Sequence, residues 1–375
     1  MASDIPSHYR ALVVPSVGAD LRVEQRPIPE AIPGSVVVRV IESSILSYQR
    51  EIYSNSKKRP YPFATPIVGG CSAVGRVVAT GPDATIVQPG QLVWVDCVVR
   101  GRDDNEAIFL FGIHEGSTPS SQKLAGGIWH DGTFAEFARV PLENCIPINE
   151  ARLCGEELAY SPRDLIYLSH LLVAFGGLRS IDVKPGETVA VCPSTAGFGG
   201  AAVHVTAALG ARVIAMGRNE EELKRLKNFI DKGMPWAHVE TVKITGDQAA
   251  DTATLKAFGP LDAILDISPP EAAQSANLLS ATHALRRGGR ISIMGNVGQN
   301  LMDGFNFIGS DIVAKGKLMY DREDLLLFVK MLEVGLFGKG TNFVERRAFA
   351  LEDWDRAFDE AATYAGIGRI VTFSL

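Results

Sequence analysis

Paired cysteines are missing from this chain. Its five cysteines, Cys71, Cys97, Cys145, Cys154 and Cys192, form no C-x-x-C pair and stand at irregular intervals. An odd, scattered set gives no disulfide framework, and it cannot supply the clustered four-ligand set of a structural zinc. Long apolar runs are also missing: none approaches the roughly 20 residues that a membrane span needs. Positive charge is in short supply. With 37 Lys and Arg against 43 Asp and Glu, the net charge is −6, which leaves no basic stripe for a nucleic-acid partner. The opening residues MASDIPSHYR lack the charged and apolar regions of a secretory signal and the Arg-rich pattern of an amphipathic presequence. A cytoplasmic location is expected. No internal repeat and no low-complexity segment is found.

What is present falls into two textures. From residue 10 to about 150 the apolar runs are short and β-rich, as in SVVVRVI (35–41), VGRVVAT (74–80) and QLVWVDCVV (91–99). Turn residues separate them, which reads as an irregular antiparallel β domain or barrel. Residues 100–132 read as one long loop, a kind of segment that often carries function. From about 160 the pattern alternates. Strands are expected at 187–192, 212–217, 239–244, 261–268 and 289–295, and helices at 199–210, 220–230 and 271–287. Such alternation predicts a parallel sheet with helices on both faces. The chain ends on a further helix and a strand expected to return to the first domain. The fold class is therefore α/β, with a β-rich domain over 1–159 and 311–375 and a doubly wound nucleotide-binding domain over 160–310.

The turn after the first strand of the second domain reads VAVCPSTAGFGGAAVHV (189–205). Glycines in a strand-to-helix turn let backbone N–H groups approach a pyrophosphate at the positive end of the helix dipole. In the usual G-x-G-x-x-G fingerprint the three glycine positions fall on Ser194, Ala196 and Gly199, so only the third glycine is kept. Candidate cofactor contacts are Ser194, Thr195, Ala196, Gly197, Phe198 and Gly199, with Gly295 at the end of the fifth strand. The alternative is a tight turn that binds nothing. The second strand ends in AMGRNEEEL (215–223). Gly217 stands where an acidic residue would hold the ribose hydroxyls of NAD, and Arg218 and Asn219 follow. Gly217 leaves room for a 2′-phosphate that a guanidinium can bind bidentately, which favours NADPH. The alternative for Arg218 is a solvated residue paired with Glu221 or Glu222.

With these residues in hand the chain resembles the medium-chain dehydrogenase/reductase superfamily. The likeness rests on GPDATIVQPGQLVWV (81–95), DGTFAEFARVP (131–141), the nucleotide-binding turn and LRRGGRISIMG (285–295). It implies a GroES-like β-rich catalytic domain, a Rossmann domain, hydride transfer and a homodimer paired through the segment after the fifth strand. CPSTAGFGGAAV (192–203) is similar to fungal members found near secondary-metabolite pathways. Zinc-dependent members carry three catalytic ligands, a Cys, a His in G-H-E and a later Cys. Aligned with quinone-oxidoreductase-like members, this chain places Leu46, Cys71 and Ser169 there, with Ser72 in place of the glutamate. One thiolate does not make a three-ligand site, so the resemblance implies no metal. Cys71 then marks a place where metal is absent, and its alternative role is a small packing residue. Cys71, Ser169 and His170 are candidate substrate-lining residues.

Without a Lewis acid, reduction relies on a positioned hydride and a hydrogen-bond or proton donor. The relay position of zinc members falls on Tyr48, whose phenol can donate a hydrogen bond and, if its pKa is lowered, a proton. Otherwise Tyr48 only lines the cleft. His130, beside Asp131, is the second catalytic candidate. His114 and His170 are weaker ones, since a histidine without a known partner is more often structural. The expected function is an NADPH-dependent, zinc-independent reductase of a conjugated enone, enal or quinone. Two alternatives stay open: metal-free reduction of a ketone or aldehyde, and a redox-neutral binding protein that uses the old cleft. The only partners expected are a small-molecule substrate and a second copy of the chain.

Overall fold

The computed structural model describes residues 5–54, 56–298 and 304–375. The chain divides into two compact units. The first comprises Met1–Ser169, Arg346–Tyr364 and Ile370–Leu375, the second His170–Glu345 and Ala365–Arg369. These bounds differ from the expected ones chiefly over residues 311–345. The strand Val313–Gly316 pairs in parallel with Leu285–Ile293, and Phe328 of the helix Arg322–Val334 packs its ring 5.1 Å from that of Phe175. Both contacts draw this stretch into the second unit.

In the first unit the strand Ser35–Ile45 is the organiser. Its β-branched run suits a pleated, buried strand. Because side chains alternate in direction, Val36, Val38 and Val40 enter one core with Val93, Phe109 and Trp129. Val37 enters another with Val13, Val68 and Phe137. Ser35–Ile45 pairs antiparallel with Ala73–Thr80, Phe137–Pro141 and Arg369–Ser374, at the centre of a seven-stranded sheet. Its Glu42 is fully buried and meets Arg163 at 2.6 Å and Arg346 at 3.0 Å. That ion cluster holds the strand just before it delivers Leu46 and Tyr48.

The stretch 100–132 is more ordered than a loop. Val98–Arg100 and Ile108–Leu110 form an antiparallel pair, and Pro119–Ala125 is a helix. The start signal lies in the residues themselves. Thr118 and Ser121 form a reciprocal capping box, and Pro119 fits the first helical position.

The second unit holds six parallel strands in the order Val239–Lys243, Arg212–Gly217, Thr188–Cys192, Leu261–Asp266, Leu285–Ile293, Val313–Gly316. Counted along the chain this is 3-2-1-4-5-6, the order of the dinucleotide-binding Rossmann sheet. The α/β class with a Rossmann-type parallel sheet is therefore observed. The helix expected over 271–287 is not. The chain makes instead a 3-10 turn at Pro270–Ala272 and a short helix at Asn277–Thr282. It re-enters the sheet by Leu285, opposite Leu261. Among the described residues no helix is long and apolar enough to cross a membrane.

Candidate active site

The nucleotide-binding turn of the second unit is built from backbone contacts. The Ser194 N–H and its hydroxyl both donate to the Met216 carbonyl, at 2.8 and 2.9 Å. Ser194 thus ties the turn to the end of the neighbouring strand, and its buried hydroxyl is consumed there. Gly199 is needed for close packing, since a Cβ would lie 2.0 Å from the Pro193 carbonyl oxygen. Gly217 is needed likewise, because a Cβ would meet the Thr195 methyl at 2.6 Å. At Gly295 a Cβ would stand 2.2 Å from the Ser268 nitrogen. The helix Gly197–Ala208 starts from Ala196, and no side chain caps it. Its first N–H groups therefore lack intrahelical partners and carry the positive end of the dipole, the arrangement that receives a phosphate.

Beside this turn lies an open cleft lined among others by Thr195, Ala196, Arg218, Ile244, Pro269 and Asn277. Arg218 is exposed at its rim. Glu221 pairs with Lys224 and Glu222 with Arg225, so neither is the partner of Arg218. Asn219 caps the next helix by accepting from the Glu221 and Glu222 N–H groups, a structural use of its carbonyl. His170 is placed against the turn, stacked on Phe198 with ring centroids 4.6 Å apart. Burial pulls its pKa down to about 4, so near pH 7 it is a neutral imidazole and not an imidazolium acid. The turn residues fit a dinucleotide: a tight backbone cradle, an uncapped helix start and a cation at the cleft.

The first unit carries the other candidates. Tyr48 is half-buried at the start of the helix Gln49–Tyr53. The Arg59 guanidinium lies 4.3 Å from its ring centroid, and the Tyr61 ring stands edge-on at 6.4 Å. Desolvation holds the phenol well above its ordinary pKa, and Tyr61 adds to the shift. The lowered pKa that proton donation requires is not found; near neutral pH Tyr48 is a hydrogen-bond donor. Tyr61 also meets His114 edge-on at 5.2 Å. His114 Nδ1 accepts from the Gly116 N–H at 2.8 Å, which leaves the proton of the neutral ring on Nε2. His130 Nδ1 bonds Asp131 Oδ1 at 3.0 Å, and the same carboxylate oxygen accepts from the Val68 N–H. The structure brings His114 and His130 to one shallow cleft with Phe63, Ile67 and Trp129.

Leu46, Cys71, Ser72 and Ser169 are all buried. Burial pushes the Cys71 thiol up to about 11, only partly offset by hydrogen bonds with Ser72 and Ser44. Among the described residues no three His, Cys, Asp or Glu side chains gather as a metal site would require. Cys71 is held in the core as a neutral thiol. Sequence reasoning missed Arg59 and Tyr61, which shape the Tyr48 environment. It also missed Tyr53, whose hydroxyl accepts from the Gly70 N–H and donates to the Gly112 carbonyl, pinning the glycines before Cys71.

Residues 32–150, about a third of the chain, match the alcohol dehydrogenase GroES-like domain family. Over those residues the chain is similar to alcohol dehydrogenases. It is 25% identical to alcohol dehydrogenase 1 of Emericella nidulans over 230 residues, 58% of this chain and 59% of that enzyme. It is 27% identical to alcohol dehydrogenase 1 of Neurospora crassa over 271 residues, 70% of each. The first of these matches spans less than two thirds of the relative's length. Among solved structures, a protein from Sinorhizobium meliloti 1021 described as a zinc-binding dehydrogenase bound to NADP aligns with a TM-score of 0.72. It is 18% identical over 99% of this chain and 100% of that one. A protein from E. coli CFT073, described as a short chain alcohol dehydrogenase complexed with NADH, aligns at 0.76, also with 18% identity and the same coverage. At these identities the structures establish the fold alone.

The buried thiols generate a direct test. Near pH 8 Cys71 stays protonated and shielded, so iodoacetamide on the native protein should label Cys154, the half-buried cysteine, well ahead of Cys71. Peptide mapping by mass spectrometry reads the order; rapid labelling of Cys71 would contradict its placement.

Proposed function

We propose that this chain is an NADPH-dependent, zinc-independent oxidoreductase. One observation carries the reading: the uncapped helix start at Gly197 and the exposed Arg218 flank a single cleft at the end of a Rossmann sheet, with Gly217 where a ribose-binding carboxylate would stand. Bound there, NADPH supplies a hydride. The N–H groups of the turn hold its pyrophosphate, and Arg218 holds its 2′-phosphate. Zinc independence is supported by a donor set of one neutral thiol, one leucine and one serine at the family's ligand positions. In place of a Lewis acid, Tyr48 donates a hydrogen bond to substrate oxygen as negative charge develops there. His130, oriented by Asp131, lines a cleft of the first unit and is the second candidate for that contact.

The substrate class that best suits a neutral hydrogen-bond donor is a conjugated enone, enal or quinone, whose reduction places charge on an enolate-type oxygen. Reduction of a ketone or aldehyde is a second reading, favoured by the alcohol dehydrogenases among the relatives. The setting that residues 192–203 suggest is fungal secondary metabolism. A second copy of the chain is the proposed partner. The segment assigned to pairing, 296–320, lies partly outside the described residues. Within its described part Phe305 is 88% and Ile308 81% exposed, beside the edge strand Val313–Gly316.

Two substitutions test the reading. Arg218→Ala should weaken NADPH roughly ten- to a hundredfold, the worth of one charge-assisted phosphate contact, and leave NADH little changed. Calorimetric titration of both cofactors reads this; equal affinity for NADPH and NADH in the parent protein refutes the assignment. Tyr48→Phe keeps the ring and removes the hydroxyl. It should lower kcat about a hundredfold with KM and cofactor affinity nearly unchanged. Steady-state kinetics with unaltered kcat would reduce Tyr48 to a lining residue.

A further inference from the structure

The cleft that Arg218 lines has a second polar feature, inside it rather than at its rim. Asn277, the first residue of the helix Asn277–Thr282, lines the cleft and is only 4% exposed. Its side-chain amide takes part in none of the hydrogen bonds among the described residues. Neither amide atom is among the sealed, unbonded polar atoms of the interior, so the amide opens to the cleft. A nearly buried amide with its donor and acceptor both unused is unfavourable unless a ligand completes it.

The chemistry of the cleft narrows that ligand. Four of its lining side chains can hydrogen bond: Thr195, Arg218, Glu271 and Asn277. Arginine only donates, and a carboxylate only accepts. Thr195 offers a single hydroxyl. Asn277 alone presents a donor and an acceptor side by side in one plane. Its complement is a planar heterocycle edge with an amino group next to a ring nitrogen. Pro193, Ile244 and Pro269 supply apolar walls for the faces of such a ring. Adenine has this edge twice, its N6 amino group lying between N1 and N7, and asparagine pairs bidentately with N6 and N7 in other settings.

We propose that Asn277 reads the adenine ring of the dinucleotide, accepting from the N6 amino group and donating to the adjacent ring nitrogen. It is thereby a base-specificity residue of the cofactor site. This rests on the cofactor reading above and adds the residue that selects the base.

The test is calorimetric titration of the full chain with NADP+ and with 1,N6-etheno-NADP+. In the analogue N6 has no hydrogen to donate and N1 is blocked. The parent should prefer NADP+ by roughly ten- to a hundredfold, as for one bidentate base contact. Asn277→Ala should bind NADP+ more weakly by a similar factor, and its preference should shrink towards unity. Arg218→Ala should weaken both ligands equally and keep the preference. If the alanine variant fails to fold, Asn277→Asp carries the test: it keeps the volume, loses the donor and should lose about tenfold in NADP+ affinity. Unchanged affinity and preference in the Asn277 variants overturn the inference while leaving the cofactor reading intact. Absence of NADP+ binding by the parent overturns both.

Discussion

Two hydrogen bonds from Ser194 to the carbonyl of Met216 set the shape of the second unit's strand-to-helix turn. They fix the turn after the first strand against the end of the second. Everything near the cleft follows from that contact. Thr195 is brought so close to residue 217 that a Cβ there would meet its methyl at 2.6 Å. The loss of a side chain at 217 removes the carboxylate site for ribose hydroxyls, and Arg218 follows at the cleft. The same clamp presents the unsatisfied N–H groups of the helix at Gly197. A serine therefore does with its hydroxyl what the first fingerprint glycine does by having no side chain: it lets the turn lie tight on the sheet.

In the first unit Leu46, Cys71 and Ser169 are buried, and the thiol at 71 is neutral by burial. The unit also carries a layered set of rings. Tyr48 is covered by the Arg59 guanidinium and bounded by Tyr61, which leads on to His114. Desolvation keeps the phenol protonated. That favours a fixed hydrogen-bond donor over an acid, and it suits stabilisation of an oxyanion without transfer of the phenolic proton in the same step.

Much of this was legible in the residues, for physical reasons that can be named. The alternation of buried β-strands and helices after 187 exposes the parallel sheet, because strands covered on both faces read as continuous apolar runs. The exposure of Arg218 at the cleft beside Gly217 was legible because both follow directly on the end of the second strand. The helix expected over 271–287 was too long, because the residues from Leu285 on are taken by the sheet, where Leu285 pairs opposite Leu261. That error hid Asn277, which reaches the cleft only because the chain turns there. The cap of Thr118 and Ser121 was overlooked within a stretch read as loop. Arg59 and Tyr61 were illegible for another reason: they act through ring contacts that no sequence spacing announces. The pKa of Tyr48 depends on burial, which a sequence does not state.

The central claim is hydride transfer from NADPH without metal. The most direct measurement uses chelator-treated protein, shown by elemental analysis to be substoichiometric in zinc, with NADPH deuterated at C4 of the nicotinamide. An enone and a ketone are offered together, and the products are read by mass spectrometry and NMR. The account predicts deuterium bound to carbon, at the β-position of the reduced enone. Deuterium at the carbinol carbon instead would select the ketone reading within the same enzyme class. No transfer to either product, or transfer that vanishes on chelation and returns with added zinc, would contradict the account.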